Sequence, residues 1–226
     1  GGGGGTPTPG VVSQAHRGVL FLDEASEIPA GVLDALRIPL EKREVRLTRA
    51  RREVVYPADF QLVLAANPCA CQRVKGQCSC KSPQRARHLS NVSGPLKDRL
   101  DVFVTTSGDA AVLSPRDAEP SISIAERVAA ARERAAVRWA KAGCNEDVNG
   151  RVPATLIRRH FPAKEAAMAM LQAELIQGKI TQRGVDKCLK LAWTLADLEE
   201  MDQPDIHHAC RAVEMREHQL QREEVA

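Results

Sequence analysis

A short uninterrupted apolar run, Val19-Leu20-Phe21-Leu22, ends abruptly on two carboxylates, Asp23 and Glu24. Four consecutive apolar residues bounded by polar ones read as a parallel strand buried on both faces. A second run, 60–66 (FQLVLAA), closes on Asn67-Pro68 and reads the same way. Two such strands need cover on their faces, which constrains the chain to an α/β layer with a parallel sheet. A third strand is expected over 100–106 (LDVFVTT). Between the first two lies a predicted helix, 28–42, with Pro29 in its first turn and Val32, Leu33, Leu36 and Leu40 on one face. Residues 45–55 place Val45, Leu47, Val54 and Val55 among arginines and predict a basic β-hairpin, and Leu96 to Arg99 a short helix.

After residue 107 the pattern changes. The segment 108–120 mixes Gly, Pro and Ser with little periodicity and reads as a linker. Residues 121–226 read as all-α, with helices over 122–141, 164–177, 181–201 and 205–217. In the third of these, Cys188, Leu191, Ala192, Leu195 and Leu198 make one apolar stripe. Cys188 and Cys210 are expected in the core. The adjacent His207 and His208 point about 100° apart on a helix, chelate poorly, and are expected at the surface.

The apolar content of 43% and charged content of 27% exclude a disordered chain. Aromatic residues make up 3%, so the core rests on Leu, Val, Ile and Ala. No run of about 18 apolar residues occurs, and no basic segment leads into an apolar one as in a secretory leader. A cytoplasmic location is expected. The formal net charge of +3 conceals a local excess, because residues 42–99 hold 13 Lys and Arg against 4 Asp and Glu. Such a stretch suits phosphate, in a nucleotide or a nucleic acid, although a solvated basic surface has the same composition.

Three constellations carry chemistry. A Mg²⁺–nucleotide site needs an acid fixed at a strand's C-terminal end, with a second carboxylate free to take a proton from water. Asp23 and Glu24 fit that need, and Asn67 ends the neighbouring strand. Cys69-x-Cys71 and Cys78-x-Cys80, six residues apart, hold four of the seven cysteines within 12 residues. That density suits a tetrahedral Zn²⁺ site; the alternative is free thiols in a solvated loop, since a disulfide framework is a poor match. The hairpin segment 42–52 (KREVRLTRARR) has six cations and one carboxylate. Its Arg46, Arg49, Arg51 and Arg52 suit the phosphate backbone of a nucleic acid; the alternative is a hairpin edge kept soluble by charge.

The segments HRGVLFLDE, LDALRIPLE, YPADFQLVLAANPCAC, SGPLKDRLD and AWTLADLE occur in one order over about residues 1–216. Together they resemble the Mg-chelatase-like AAA+ ATPases of the ComM/YifB family. The resemblance implies a fold: part of a P-loop AAA+ core over 1–107, then a helical lid over 121–226. It also implies an ATP-binding hydrolase working as a hexameric ring of copies of itself. ComM-type members act on DNA by branch migration in natural transformation, while Mg-chelatase relatives insert Mg²⁺ into a porphyrin. ATP and Mg²⁺ are the implied ligands. Asp23 and Glu24 match the Walker B pair, with Asp23 toward the metal and Glu24 as base. Asn67 matches sensor 1. Arg99 matches the arginine finger given to a neighbouring subunit, although a cation at a helix end has its own local use. Arg183 matches the lid's sensor 2, with a solvated helix-start arginine as the alternative.

The departures bear on nucleotide binding. No G-x-x-x-x-G-K-[ST] loop occurs, Pro9-Gly10 is followed by Val11 where the family has Glu, and Ala70 and Gln72 replace the family's Pro and Gly. The chain opens on Gly1 to Gly5 rather than Met, and is expected to be a piece of a longer protein. These 226 residues alone are then expected neither to bind ATP measurably nor to hydrolyse it. The reading of a different class is a non-catalytic module that binds DNA or a partner.

Overall fold

The computed structural model describes residues 8–49, 52–67, 69, 71, 78–106 and 119–216. It divides into two compact units, Gly1–Leu100 and Asp101–Ala226.

The first unit is built on two parallel strands, β1 (Val19–Leu22) and β4 (Gln61–Leu64), in register from Val19 opposite Gln61 to Leu22 opposite Leu64. The turn before β1 sets that register. The Asp59 N–H donates to His16 Nδ1 at 3.1 Å, and the Arg17 N–H, from a backbone at φ +63°, donates to the Asp59 carbonyl at 2.6 Å. At the other end, the Ala65 N–H donates to the Leu22 carbonyl at 2.9 Å.

β1 is not buried on both faces, as its apolar run predicts. Leu20 is buried and Leu22 half-buried, while Val19 and Phe21 are each 57% exposed. Alternation along a strand sends odd and even residues to opposite faces. Only the even face meets Leu33, Leu36 and Leu96, the centre of this unit's core.

The predicted helix 28–42 is two helices, α2 (Ala30–Asp34) and α3 (Arg37–Lys42). Pro39 explains the break, because its ring clashes with the carbonyl four residues earlier, at Ala35, and it has no N–H to donate there. Leu33 and Leu36 are buried, but Val32 is exposed. A short α1 (Val11–Gln14) precedes β1. The basic hairpin forms as β2 (Glu44–Arg49) and β3 (Arg52–Pro57), antiparallel, from Glu44 opposite Pro57 to Arg49 opposite Arg52. Two further helices, α4 (Ser82–Leu89) and α5 (Gly94–Lys97), complete the unit.

No strand forms over 101–106. The backbone there turns to the second unit instead: the Phe103 N–H donates to the Met215 carbonyl at 2.6 Å, and Arg216 reaches the Asp101 carbonyl. An apolar alternation needs a neighbouring strand edge, and this segment's groups bond elsewhere.

The second unit is helical: α6 (Ser121–Lys141), α7 (Ala154–His160), α8 (Glu165–Ile176), α9 (Gln182–Leu198) and α10 (Ile206–Glu214). α9 lies at its centre and packs on the other four. Trp139, Phe161 and Trp193 meet edge to face, with ring centroids 5.0, 6.1 and 6.5 Å apart. Cys188 is buried, but Cys210 is exposed on the outer face of α10. His208 reverses the expectation of a surface residue. It is 2% exposed, because it closes the N-terminal cap of α10 with Asp205. His207 is exposed. Among the described residues no helix is long and apolar enough to cross a membrane.

Candidate functional site

β1 and β4 carry their C-terminal ends to the same edge. The Ala25 N–H donates to the Ala65 carbonyl at 2.8 Å, so the chain after β1 stays tied to the chain after β4. Asp23 and Glu24 lie between Leu22 and that tie, and Asn67 follows two residues beyond Ala65. All three are exposed. Glu24 has φ +49° and ψ +42°, the left-handed region, and its N–H donates to Asp23 Oδ1 at 2.8 Å. A left-handed non-glycine residue stores on the order of 1–3 kcal/mol and persists only where its surroundings impose it. The imposing groups are the β1–β4 pairing before it, where the Ala65 N–H meets the Leu22 carbonyl, and the 3₁₀ turn Ala25–Glu27 after it, in which Ala25 and Ser26 are buried. That turn is gripped by the chain around α4, with Asn91 Nδ2 donating to the Ser26 carbonyl at 2.6 Å and His88 Nδ1 3.5 Å from Glu27 Oε1.

Arg99 follows α5, which Ser93 caps by accepting the Leu96 N–H at 3.3 Å. Its guanidinium donates to the Pro95 carbonyl at 2.6 Å and to Glu41 Oε1 at 2.5 Å. Its Nε is buried with no hydrogen-bond partner among the described residues. Sequence reading did not find Glu41, which is 58 residues away.

Arg183 is exposed in the first turn of α9, which Thr181 caps by accepting the Gly184 N–H at 3.1 Å. One turn on, Lys187 pairs with Asp101 at 2.9 Å. Burial pushes the Lys187 amine below its ordinary value; Asp101 opposes this, and the nearby cations Arg216 and Arg183 add to it. Arg183 therefore belongs to a cationic group with Lys187 and Arg216. The i, i+4 spacing of Arg183 and Lys187 signals part of that group, and Arg216 carries no local signal.

In the hairpin, Arg46 is engaged by carboxylates. Its Nε donates to Glu44 Oε1 at 2.7 Å and its Nη1 to Glu53 Oε1 at 3.3 Å, which raises its pKa further. Arg49 and Arg52 are the last facing pair of the ladder. Their side chains, and all of Arg51, lie outside the described residues.

The sulfurs of Cys69, Cys71, Cys78 and Cys80 all lie within 4.8 Å of one another. Cys69 is 2.9 Å from Cys71 and 3.2 Å from Cys78, and Cys71 is 3.4 Å from Cys78. Cys69 is buried and the other three are half-buried. Hydrogen bonds with Cys71 and Cys78, then burial, push the Cys69 thiol up to about 12. The four cysteines predicted as a cluster are thus brought together, as are Asp23, Glu24 and the Asn67 strand end.

Residues 1–112 match the family model described as magnesium chelatase, subunit ChlI, and residues 118–216 match that of the ChlI C-terminal region. An uncharacterized protein of Mycobacterium tuberculosis (strain H37Rv) is 46% identical over 219 residues, covering 96% of this chain and 43% of the relative. YifB of Escherichia coli (strain K12) is 36% identical over 95% of this chain and 42% of its own length. Competence protein ComM of Haemophilus influenzae is 34% identical over 94% of this chain and 41% of its own length. The chain thus spans about two fifths of the length of these relatives. With both halves matched in order, and relatives aligned along nearly its whole length, the chain belongs to the magnesium-chelatase-like family, together with YifB and ComM.

Proposed function

We propose that this chain supplies the hydrolysis half of an ATP site in an oligomeric AAA+ motor of the cytoplasm that acts on DNA. The observation that carries the reading is the parallel pair that holds Asp23 and Glu24 beside the strand end leading to Asn67, with Glu24 kept in a left-handed conformation. Both carboxylates are exposed at that edge, which suits a hydrated divalent cation on a triphosphate. Asp23 would hold the water shell of Mg²⁺, which when bound neutralises charge on the β- and γ-phosphates. Glu24 accepts a proton from the attacking water, and Asn67 orients that water by hydrogen bonding. Arg99 reaches the γ-phosphate at the site of the next subunit in a ring, and Arg183 serves the nucleotide from the helical unit. The basic hairpin grips the phosphate backbone through Arg46, Arg49, Arg51 and Arg52.

The competence named in one relative favours DNA as the substrate. A second reading, ATP-driven insertion of Mg²⁺ into a porphyrin, draws on the description of the matching family models. The net charge of residues 42–99, with 13 cations against 4 carboxylates, favours the polyanion. A non-catalytic binding module is the reading these carboxylates oppose.

The test is phosphate release by the whole protein, with and without branched DNA. Glu24→Gln is expected to keep ATP binding and abolish turnover, with DNA stimulating the unaltered protein. Turnover that survives Glu24→Gln would refute the assignment of the base, and a rate indifferent to DNA would refute the substrate.

A further inference from the structure

The nucleotide and DNA readings leave the four-cysteine cluster unexplained. Its geometry is selective. A tetrahedral Zn²⁺ with bonds of about 2.3 Å places its sulfurs about 3.8 Å apart. The four sulfurs here lie within 4.8 Å of one another, close enough to share one ion and too close to enclose a polynuclear iron–sulfur cluster. The nearest pair, at 2.9 Å, is well beyond a disulfide bond of about 2.0 Å. Among the described residues no His, Asp or Glu joins the set, so the ligands are uniformly soft, which selects zinc over Mg²⁺ or Ca²⁺. A zinc tetrathiolate carries a formal charge of −2, and it falls in the most basic stretch of the chain, where cations outnumber carboxylates 13 to 4.

The position of the cluster in the fold gives it a second meaning. Cys69 lies two residues after Asn67, at the end of the segment that β4 launches. Cys80 lies two residues before α4 begins at Ser82. The far end of α4 and the residues after it hold the 3₁₀ turn that directly follows Glu24, through Asn91 on the Ser26 carbonyl at 2.6 Å and His88 beside Glu27. An ion at the four sulfurs therefore closes a chain of contacts from Asn67, through the metal and α4, back to the turn that imposes the strained conformation of Glu24.

We propose that Cys69, Cys71, Cys78 and Cys80 bind one structural Zn²⁺, and that this centre braces α4 so that Asn67 and Glu24 keep their relative position. The metal site stands on the sulfur geometry alone. The catalytic consequence of the brace rests on the ATPase reading above, so the experiment reads the two separately.

The whole protein, purified without chelator, is expected to contain about one zinc per chain. Exchange for Co²⁺ is expected to produce the intense visible absorption of a tetrahedral cobalt thiolate. Cys78→Ser and Cys80→Ser are each expected to weaken zinc binding by roughly tenfold or more. A folded protein with no zinc and no cobalt spectrum, one with iron in place of zinc, or one in which mass measurement finds the four thiols paired as disulfides, would overturn the site. Zinc removal is then followed by hydrogen exchange. Faster exchange is expected over 82–91 and 24–27, with 119–216 unchanged. If 24–27 exchanges at the same rate with and without zinc, the brace is refuted while the metal site stands. Where the protein turns over ATP, zinc loss is expected to lower kcat and leave KM for ATP near its original value. A protein that binds zinc, shows the exchange response and never hydrolyses ATP would instead count against the ATPase reading alone.

Discussion

The guanidinium of Arg99 rests on the carboxylate of Glu41, Nη2 to Oε1 at 2.5 Å, and only 14% of the Arg99 side chain meets solvent. The two residues come from the ends of α5 and α3, and a further bond to the Pro95 carbonyl fixes the plane of the fork. For the role across a subunit boundary proposed above, these two contacts would hold the guanidinium in one orientation. Glu41 is 42% exposed, so the pair itself adds little to stability, about 0–1 kcal/mol. Arg99→Ala is expected to lower ATP turnover by roughly 10³-fold in the whole protein. Mixing Arg99→Ala subunits with Glu24→Gln subunits is expected to restore part of the rate, because each defective chain then meets a partner that supplies what it lacks. Mixed rings as inactive as either parent would rule out a role across the subunit boundary.

Arg46 sits between Glu44 and Glu53, so a nucleic-acid phosphate must compete with two carboxylates for it. Glu53→Gln is expected to tighten DNA binding, and Arg46→Ala to weaken it and reduce the salt-dependence slope by about one. Titrations at several salt concentrations measure both. Slopes that stay the same in both variants would place the hairpin away from DNA.

In the helical unit, Asp197 is 1% exposed and Arg138 is 15% exposed, and the two are directly paired. Asn149 Nδ2 donates to Asp197 at 2.8 Å, Trp139 Nε1 donates to Asn149 at 2.9 Å, and the Arg138 guanidinium lies 4.0 Å over the Trp193 ring. Removing one partner strands the other charge in the interior. Asp197→Ala is expected to cost about 3–5 kcal/mol in chemical denaturation. The pair Arg138→Met with Asp197→Leu is expected to cost less than the sum of the single changes, since no lone charge remains buried.

Asp205 accepts the N–H groups of His207 at 3.0 Å and His208 at 3.4 Å at the start of α10. Burial works against its ionisation, but the hydrogen bonds with His208 and His207 outweigh it and hold the carboxyl below its ordinary 3.8. A carboxylate depressed on folding stabilises above the unfolded value, and that stabilisation is lost as pH falls through the folded one. Asp205→Ala is expected to cost about 1 kcal/mol near neutral pH. The difference between variant and parent is expected to close as pH drops below 3.8. Glu199 lies 3.2 Å from His208 Nε2 in both proteins, so variant and parent are compared at each pH. A difference that persists undiminished in acid would show that the cap does not act through its charge.

Much of the first unit was legible in local pattern. A continuous apolar run ending in Asp23-Glu24, a second ending in Asn67, and an alternating arginine-rich stretch each specify backbone conformation over a few residues, and all three elements form. The cysteine spacing was equally readable, because C-x-C halves joined by a short loop bring thiols together over a small chain distance. The helix break before Pro39 was also written locally, in a missing N–H, although the apolar stripe across it concealed the break.

Other outcomes depended on which surface each element met, and no short window of sequence contains that. Val19 and Phe21 are as apolar as Leu20, yet only the Leu20 face of β1 finds Leu33, Leu36 and Leu96. The segment 101–106 has the alternation of a strand, but its backbone bonds to the end of α10 instead of to a strand edge. Cys210 and His208 share one helix, and the polar residue went inside because Asp205 meets its Nδ1 in the helix cap, with Glu199 3.2 Å from its Nε2. Sequence by itself determined β1, β4, the basic hairpin, the carboxylate edge and the thiol cluster, because propensity and spacing act within a few residues. Tertiary structure alone decided which faces are covered, that Arg99 lies on Glu41, and that Arg46 is held by Glu53, because those partners meet only when the chain has closed on itself.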